Sequence, residues 1–419
     1  MKRYIVTGLF VFTSLLQAQV LTLDESIAKT LQNYPDVQSF KLKIKQSQSA
    51  YRSAFADYLP QVSLAAQYNA QQTFVFPQNG TFNTVDDSGW NAGVFLQQKV
   101  WDFGQTGSKV DAKKIDESIS ELSLKELKAL LSYKVKSLYA LMAVEQEAIL
   151  VRTKDVAAKK AYYEQAKALV KEGLKTEADA SRFLSSYYIA KDNLAIAEAT
   201  YEKAKATLEL YMNEKIADDV ELDRELLERN LQEERDAIFK EVFAHNYSLN
   251  IEEKTIQKNI LLHKATKASH YGSIDVVASY NHLDTLNAYD SKLAGITLNI
   301  PLYSGGRVSA EAQKAALTAK ISKEQKASKE LALKDELNGL LLDIKRYTTT
   351  IEAKKAQLES AQQTESVTQG RYKEGLATYI ELLDATALVL NAKLGLLQAY
   401  YLRSLAIDRI DYLKGTYHE

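Results

Sequence analysis

Apolar and polar residues alternate one by one in two places in each half of the chain. In the first half the alternation covers 61–70 and 90–100, and in the second half both stretches fall within 273–302. A period of two predicts β-strands with one apolar face, and turn-forming residues between the stretches predict hairpins. We therefore expect hairpins at 61–100 and 273–302, with strands of about ten residues, a length that crosses a bilayer when tilted.

Each hairpin is followed by a very long stretch that favours a helix. Neither Gly nor Pro occurs from Ser108 to Glu172, and only Gly339 and Gly370 interrupt the second stretch. We expect helices at 104–172 and 307–374, each about 100 Å long at the rise of an α-helix. Helices of this length are typical of coiled coils or of large helical assemblies.

A shorter return helix is predicted after each long helix, at 177–212 and 378–413. Apolar residues recur there at alternating spacings of three and four, which predicts a left-handed coiled coil. The first seam is Tyr187, Ala190, Leu194, Ala197, Tyr201, Ala204, Leu208 and Tyr211, and the second is Val389, Ala392, Leu396, Ala399, Arg403, Ala406, Ile410 and Leu413. Arg403 is a charged break in the second seam.

The chain is a tandem duplication. Lys-Glu-Gly-Leu occurs at 171–174 and again at 373–376, and the same shift aligns the two strand-to-helix junctions. About ten extra residues lie in the turn of the first hairpin. A fixed internal period predicts a single structure that is built from two similar halves. The predicted segments are a first repeat at 20–212, a charged linker at 213–235, a second repeat at 236–414 and a tail at 415–419.

The first 19 residues have the pattern of a secretory signal peptide. Lys2 and Arg3 precede a short apolar run from Ile5 to Leu16. This run is too short to span a membrane comfortably, so we expect a cleaved signal at 1–19. No later segment has 18 consecutive apolar residues, and we expect an exported chain of this kind to cross a membrane with strands.

Composition argues against several classes of function. The 53 basic and 54 acidic residues leave no positive excess for nucleic acid, and cysteine is absent, which removes thiol chemistry and cysteine metal sites. The chain has no phosphate-binding glycine loop or nucleophile elbow. The histidines, at His245, His263, His270, His282 and His418, lack the spacing of a zinc enzyme. We predict no catalytic residue, no cofactor and no metal site.

Four strands per chain cannot close a membrane barrel. An open sheet in lipid leaves unpaired backbone groups, each costing several kcal/mol, and membrane barrels begin at about eight strands. We therefore expect a mainly α protein in which several copies share one membrane β-barrel and a helical coiled-coil tube. The alternative is a soluble sheet on a helical rod, as in a secreted coiled-coil structural or adhesion protein.

The order of these segments resembles the TolC-like outer-membrane efflux family. The strongest similarity lies at 370–378, followed by Glu-Leu-Leu-Asp-Ala at 381–385, and the strand-to-helix junction at 301–307 is also similar. The resemblance implies a homotrimer with a twelve-stranded barrel in the outer-membrane lipid. It also implies a passive duct, which docks on a periplasmic adaptor protein and an inner-membrane efflux pump or ABC transporter. Small-molecule efflux and protein secretion both remain open.

The turn between each long helix and its return helix is the first candidate site. A glycine after the last helical turn is typical of a left-handed C-cap. The resemblance implies that these turns form the periplasmic tips that meet the adaptor, and exposed leucines there need a partner. The tip residues are Gly173, Leu174, Thr176, Gly375, Leu376 and Thr378.

Acidic residues at the start of the last helix form the second candidate site. Glu381 and Asp384 are three residues apart and share one helix face, and the resemblance implies that they line the narrow mouth of the tunnel. The resemblance also implies closed-state contacts by Tyr372 and Asp179, although Ala377 occupies a position where relatives often have a basic residue. Arg371 or Lys373 are candidates to replace that residue.

Trp90 and Tyr280 are candidates for an aromatic girdle at the membrane surface. Outer-membrane barrels carry bands of aromatic residues at both interfaces. The simpler reading, which stays open at this point, is that they are ordinary sheet aromatics.

Overall fold

The computed structural model describes residues 20–75, 83–86, 88–285 and 288–416. The elements of the first repeat are β1 (Val20–Leu21), α1 (Leu23–Asn33), α2 (Pro35–Phe55), β2 (Gln61–Asn69), β3 (Gln72–Val75), β4 (Asn83–Asp86), β5 (Gly89–Trp101), α3 (Gln105–Lys171) and α4 (Glu177–Met212). The others are β6 (Glu221–Leu222), α5 (Glu225–Glu228), α6 (Arg235–His245), α7 (Tyr247–Ala268), β7 (Ser273–Asp284), β8 (Ala288–Asn299), α8 (Arg307–Lys373) and α9 (Tyr379–Leu413). The predicted signal at 1–19 and His418 lie outside the described residues.

The two long helices, α3 and α8, each contain 67 residues. Gly339 and Gly370 do not interrupt α8, since one glycine costs only about 1 kcal/mol in a helix interior. In the described part of the chain, no helix combines the length and the hydropathy that crossing a membrane requires.

Two connections are more structured than the sequence suggested. The turn of the first hairpin, which we expected to be a loop, contains a second short hairpin in which β3 pairs with β4. The ten extra residues of the first repeat fall in this region. The charged linker contains β6, which pairs in parallel with β1, and the single turn α5. The linker leaves room for short elements of this kind, but the sequence does not locate them, because elements of two to four residues are too short to show periodicity.

The described residues divide into two compact units. The first comprises residues of Met1–Val37, Leu127–Val242 and Asp335–Glu419, and the second those of Gln38–Glu126 and Phe243–Lys334. The second unit contains an antiparallel sheet with the strand order β2-β5-β7-β8. A bulge between Lys99 and Trp101 marks the end of β5, just before α3 begins. The side chain of Asp102 caps α3, because its Oδ2 accepts a hydrogen bond of 2.7 Å from the backbone N–H of Thr106.

The two faces of this sheet differ in polarity, as the alternation predicts. The register places Leu64, Val94, Tyr280 and Lys292 in one row and Ser63, Phe95, Ser279 and Leu293 in the next. Since adjacent residues point to opposite faces, each row belongs to a different face. The apolar face is exposed at Val62, Leu64, Val94, Ile296 and Leu298. The other face carries mainly amides and hydroxyls.

The core of the first unit is helical. Alanines at every second seam position are buried, namely Ala190, Ala197, Ala204, Ala392, Ala399 and Ala406. The linker packs on this core through polar anchors. The hydroxyl of Tyr139 donates to the carbonyl of Leu21 at 2.6 Å and accepts from the N–H of Asp223 at 2.8 Å, which joins α3 to both β1 and the linker.

The charged break in the second seam has a structural role. Arg403 is buried on α9, and its Nη2 donates to the carbonyl of Glu228 at 3.3 Å, while Ser404 Oγ donates to the carbonyl of Leu226 at 3.2 Å. These residues supply donors to α5 where its own helical hydrogen bonds end. The seam is therefore broken where the linker crosses it.

Candidate functional site

Both helix turns end in the same backbone motif. Gly173 and Gly375 have φ values of 73° and 75°. The N–H of Leu174 donates to the carbonyl of Leu169 at 2.9 Å, and the N–H of Leu376 donates to the carbonyl of Arg371 at 2.8 Å. Together with the bonds donated by the two glycine N–H groups, this is the Schellman arrangement, which satisfies carbonyls left free at a helix end.

The return helices begin with matching capping boxes. In the first turn, the Thr176 hydroxyl accepts from the N–H of Asp179, and the Asp179 carboxylate accepts from the N–H of Thr176. In the second, Thr378 and Glu381 form the same reciprocal pair. The hydrogen bond from the threonine N–H holds the pKa of each carboxyl, Asp179 and Glu381, below its ordinary value. Both carboxylates therefore remain charged at neutral pH.

The two turns expose leucine side chains. Leu174 is 66% exposed and Leu376 is 69% exposed, while Thr176 and Thr378 are exposed between them and the return helices. The Schellman motif fixes the chain direction at these residues, so both leucines are presented on defined turns. Each turn thus presents one exposed apolar side chain.

An aromatic cluster lies behind the turns and joins the two repeats. Phe183 of α4 is 1% exposed, and its ring centroid lies 6.2 Å from that of Tyr162, 6.4 Å from that of Tyr372 and 5.5 Å from that of Tyr379. Ala377 and Leu382 are buried in the same cluster. Edge-to-face contacts at these distances are favourable, so residues of α3, α4, α8 and α9 pack around one phenylalanine.

The two residues predicted as closed-state contacts both make side-chain contacts within this chain. The carboxylate of Asp179 serves the capping box with Thr176, and the ring of Tyr372 is buried against Phe183. Burial, with a smaller contribution from the charge of Asp179, raises the pKa of the Tyr372 hydroxyl. A charged side chain in the place of Ala377 would enter the apolar cluster, which is unfavourable without a partner.

The basic residues considered as replacements for position 377 lie nearby. Arg371 is exposed, and its Nη2 donates to the carbonyl of Leu376 at 3.1 Å. It thereby braces the second turn and places a positive charge near Glu381. Lys373 is exposed at the end of α8.

Glu381 and Asp384 lie on the exposed side of α9, one turn apart. The Glu381 carboxylate is held at 2.6 Å by the N–H of Thr378, so its position is fixed relative to the second turn. The equivalent residues of the first repeat are Asp179 and Arg182. Arg182 lies over the ring of Tyr379, 5.3 Å from its centroid, and the acidic pair is therefore specific to the second repeat.

A buried charge cluster was not found by sequence reasoning. Asp408 of α9 lies 3.8 Å from Lys136 Nζ and 3.3 Å from Arg229 Nη1, and both cations also contact Asp411. Burial raises the pKa of Asp408 to about 6, against the opposing effect of the two cations. The cluster joins α3, α9 and the residue after α5. No group of three or more metal-binding side chains occurs among the residues that the structure describes.

The fold defines the class of protein. The chain superimposes on the outer membrane protein VceC of Vibrio cholerae with a TM-score of 0.81 and 16% identity, over 94% of this chain and 96% of that one. A membrane protein of Pseudomonas aeruginosa gives a TM-score of 0.83 at 17% identity, over 94% and 90% of the two chains. The predicted fold class, a mainly α chain with four strands in one sheet, is confirmed by these two solved structures.

The sequence comparison identifies the family. Residues 26–214 and 258–416 match the family described as outer membrane efflux protein, and the chain belongs to this family. The predicted family is thereby confirmed. The outer membrane protein TolC of Salmonella enteritidis is 28% identical over 151 residues, which is 36% of this chain and 30% of the length of that relative.

Proposed function

We propose that the protein is the outer-membrane exit duct of a tripartite export system. Three copies would conduct small molecules or secreted proteins passively from an inner-membrane pump and its periplasmic adaptor to the exterior. The single observation that carries the proposal is the match of most of the chain to the outer membrane efflux protein family. The open edges of the sheet and an exposed helical stripe add physical support.

The strand order supports a barrel shared by several copies. In the described sheet, β2 and β8 each pair on one side only, and three successive antiparallel pairings make β8 antiparallel to β2. The β8 edge of one copy can therefore pair with the β2 edge of the next. Two copies would give an eight-stranded barrel, whose interior is filled by side chains. Three copies would give twelve strands and leave room for a passage.

An exposed stripe on α4 supports the same assembly. Ile189, Ile196 and Leu210 are exposed and separated by multiples of seven residues, so they lie along one face of α4. A heptad stripe of this kind is typical of a coiled-coil contact. We assign this face to a neighbouring copy.

On the sheet, the exposed apolar face would contact lipid. Trp90 and Tyr280 lie exposed on this face, and the Trp90 ring lies 5.2 Å from that of Tyr68. These positions fit the predicted aromatic girdle.

The turns and the acidic pair take the roles that the resemblance implies. Leu174 and Leu376 would contact the adaptor, which would cover two exposed apolar side chains. Glu381 and Asp384 from three copies would surround the tunnel mouth, where a ring of carboxylates attracts cations. The aromatic cluster around Phe183 would hold the closed tip in place of the missing ion pair at Ala377.

Single-channel conductance in a planar bilayer tests this proposal. We expect small, steady, cation-preferring currents that multivalent cations block. The variant E381Q/D384N removes both charges, while the glutamine oxygen can still accept from Thr378. It should conduct more, lose its cation preference and resist block.

The matched control for this experiment is Asp179→Asn, which alters the equivalent cap of the first repeat. It should leave the selectivity as it is. Unchanged selectivity in E381Q/D384N would refute the constriction. Folded protein that neither inserts nor conducts would favour a secreted coiled-coil structural or adhesion protein.

A further inference from the structure

One row on the polar face of the sheet contains two large apolar side chains, and the row nearest the β7–β8 turn contains two more, Leu283 and Tyr289. Phe95 of β5 and Leu293 of β8 both lie opposite Ser279 of β7 in the register. They are 38% and 54% exposed. An exposed apolar patch that is rimmed by polar residues often marks a site of interaction.

Small residues lie beside Leu293 along β8 and on one side of Phe95 along β5. On the side toward the β7–β8 turn, the row contains Gly93 and Ser291. The Asn281 side chain lies across Gly93, so close that a Cβ there would meet its Oδ1 at 1.9 Å. On the other side, Gly295 has open space around it. Leu293 therefore projects beyond its neighbours on both sides along β8, and Phe95 projects beyond Gly93 on one side and is followed by Gln97 on the other.

Charge on this face of the sheet is balanced. Among the described residues of β2, β5, β7 and β8, Lys99 and Asp275 are the charged residues on this face, and they lie opposite each other in the register. Lys99 also lies 3.8 Å from Asp102. The wall would therefore discriminate little by charge.

We propose that Phe95 and Leu293 of three copies form an apolar collar inside the barrel, which restricts the passage of large hydrophilic solutes. The inference rests on the trimeric barrel proposed above, in which the polar face lines the passage. Twelve strands leave a passage wider than the filled interior of an eight-stranded barrel, so inward side chains narrow it without closing it. Apolar constrictions repel water, and the collar therefore favours apolar or amphipathic solutes over bulky hydrated ones.

Single cysteines test the collar directly, because the chain contains no cysteine of its own. Ser291→Cys and Thr297→Cys place reporters on the same face of β8, on opposite sides of Leu293. Intact cells are treated from outside with polyethylene glycol maleimides of increasing size. We expect the Thr297 reporter to lose reactivity at a smaller reagent size than the Ser291 reporter, because the larger reagents do not pass the collar.

The variant F95A/L293A should remove this difference between the reporters. The control V94A/I296A alters two residues of the same strands that lie on the apolar face, and it should preserve the difference. Trimers that resist dissociation on gels establish folding of each variant, and Phe95→Trp should lower the size limit of the Thr297 reporter further. Equal size limits at the two reporters in the parent chain, or an unchanged limit in folded F95A/L293A, would overturn the collar. If neither reporter reacts even with the smallest maleimide, the barrel itself is wrong.

Discussion

Replacing Phe183 with alanine is expected to loosen the turns of both repeats. Phe183 is 1% exposed and contacts three tyrosine rings. Removing a buried phenylalanine side chain typically costs about 3–5 kcal/mol, because the cavity collapses only in part. A loss near 4 kcal/mol in the free energy of opening the turns corresponds to an increase of roughly a thousandfold in the open population.

Hydrogen exchange measured by mass spectrometry gives the local reading that this prediction requires. Amides near the ends of α3 and α8 and at the starts of α4 and α9 should exchange faster in Phe183→Ala, by up to three orders of magnitude, since exchange reports local opening. The exchange rates of Phe183→Leu should lie between those of Phe183→Ala and the parent chain, because leucine retains part of the buried volume.

A second buried side chain provides the control. Met142 of α3 is fully buried in another cluster of the same unit, with Tyr139 and Leu208. Met142→Ala should accelerate exchange around that cluster and leave the turns protected. Turns that exchange equally fast in the parent chain and in Phe183→Ala would refute the assignment, as would acceleration spread evenly over all helices.

Three further predictions concern the backbone, the linker and pH. Gly375→Ala should destabilise the second turn by about 1–2 kcal/mol, because its φ of 75° disfavours a side chain even in open space. Gly370→Ala, inside α8, should instead stabilise that helix by about 1 kcal/mol. Hydrogen exchange at the turn measures both effects. Arg403→Ala should expose the linker to limited proteolysis, since the Glu228 carbonyl loses a donor; Arg409→Ala, which loses a bond to Glu336 on α8, should not. The pKa of Asp408 is raised from 3.8 to about 6 in the folded state, which therefore binds this proton more tightly than the unfolded state does. Protonated Asp408 thus favours folding below pH 4, and roughly 3 kcal/mol of the free energy of unfolding is lost as the pH rises through 6. The melting temperature of the parent chain minus that of Asp408→Asn should therefore fall between pH 4 and 6 and level off above 7, and a flat difference would contradict the assignment.

The sequence predicts those features that depend on local backbone geometry. Gly173 and Gly375 stand after the last helical turn, where only glycine adopts a positive φ without strain. The strands of the sheet follow from alternation, since most positions of one face are apolar, although Lys292 and the ion pair of His282 with Asp290 lie on that face. The capping boxes of Thr176 and Thr378 could also have been read from the sequence, because threonine precedes an acidic residue by three positions.

The aromatic cluster could not be predicted in the same way. Its members come from four helices, and the duplication offers no guide, because the position equivalent to Phe183 is Ala385 and the one equivalent to Tyr372 is Val170. The partner of Arg403 could not be predicted from the sequence either. The break in the seam was visible, but the linker that explains it has no periodicity, and its contact depends on how the chain crosses α9.

The two repeats agree where the backbone requires it and differ where the side chains meet solvent. Both turns have the same Schellman glycine and the same capping box, so duplication preserved the geometry of the turns. One helical turn further on, the first repeat has Arg182, which lies over Tyr379, and the second has the exposed Asp384. In a trimer, six similar turns would therefore alternate between two kinds of surface, and only the three turns of the second repeat would present the pair Glu381 and Asp384 to the passage. If all six turns were identical, one surface would have to serve both for packing and for ion contact. Because the two repeats have diverged, Arg182 packs on Tyr379 in the first repeat, and the acidic pair of the second repeat would contact ions.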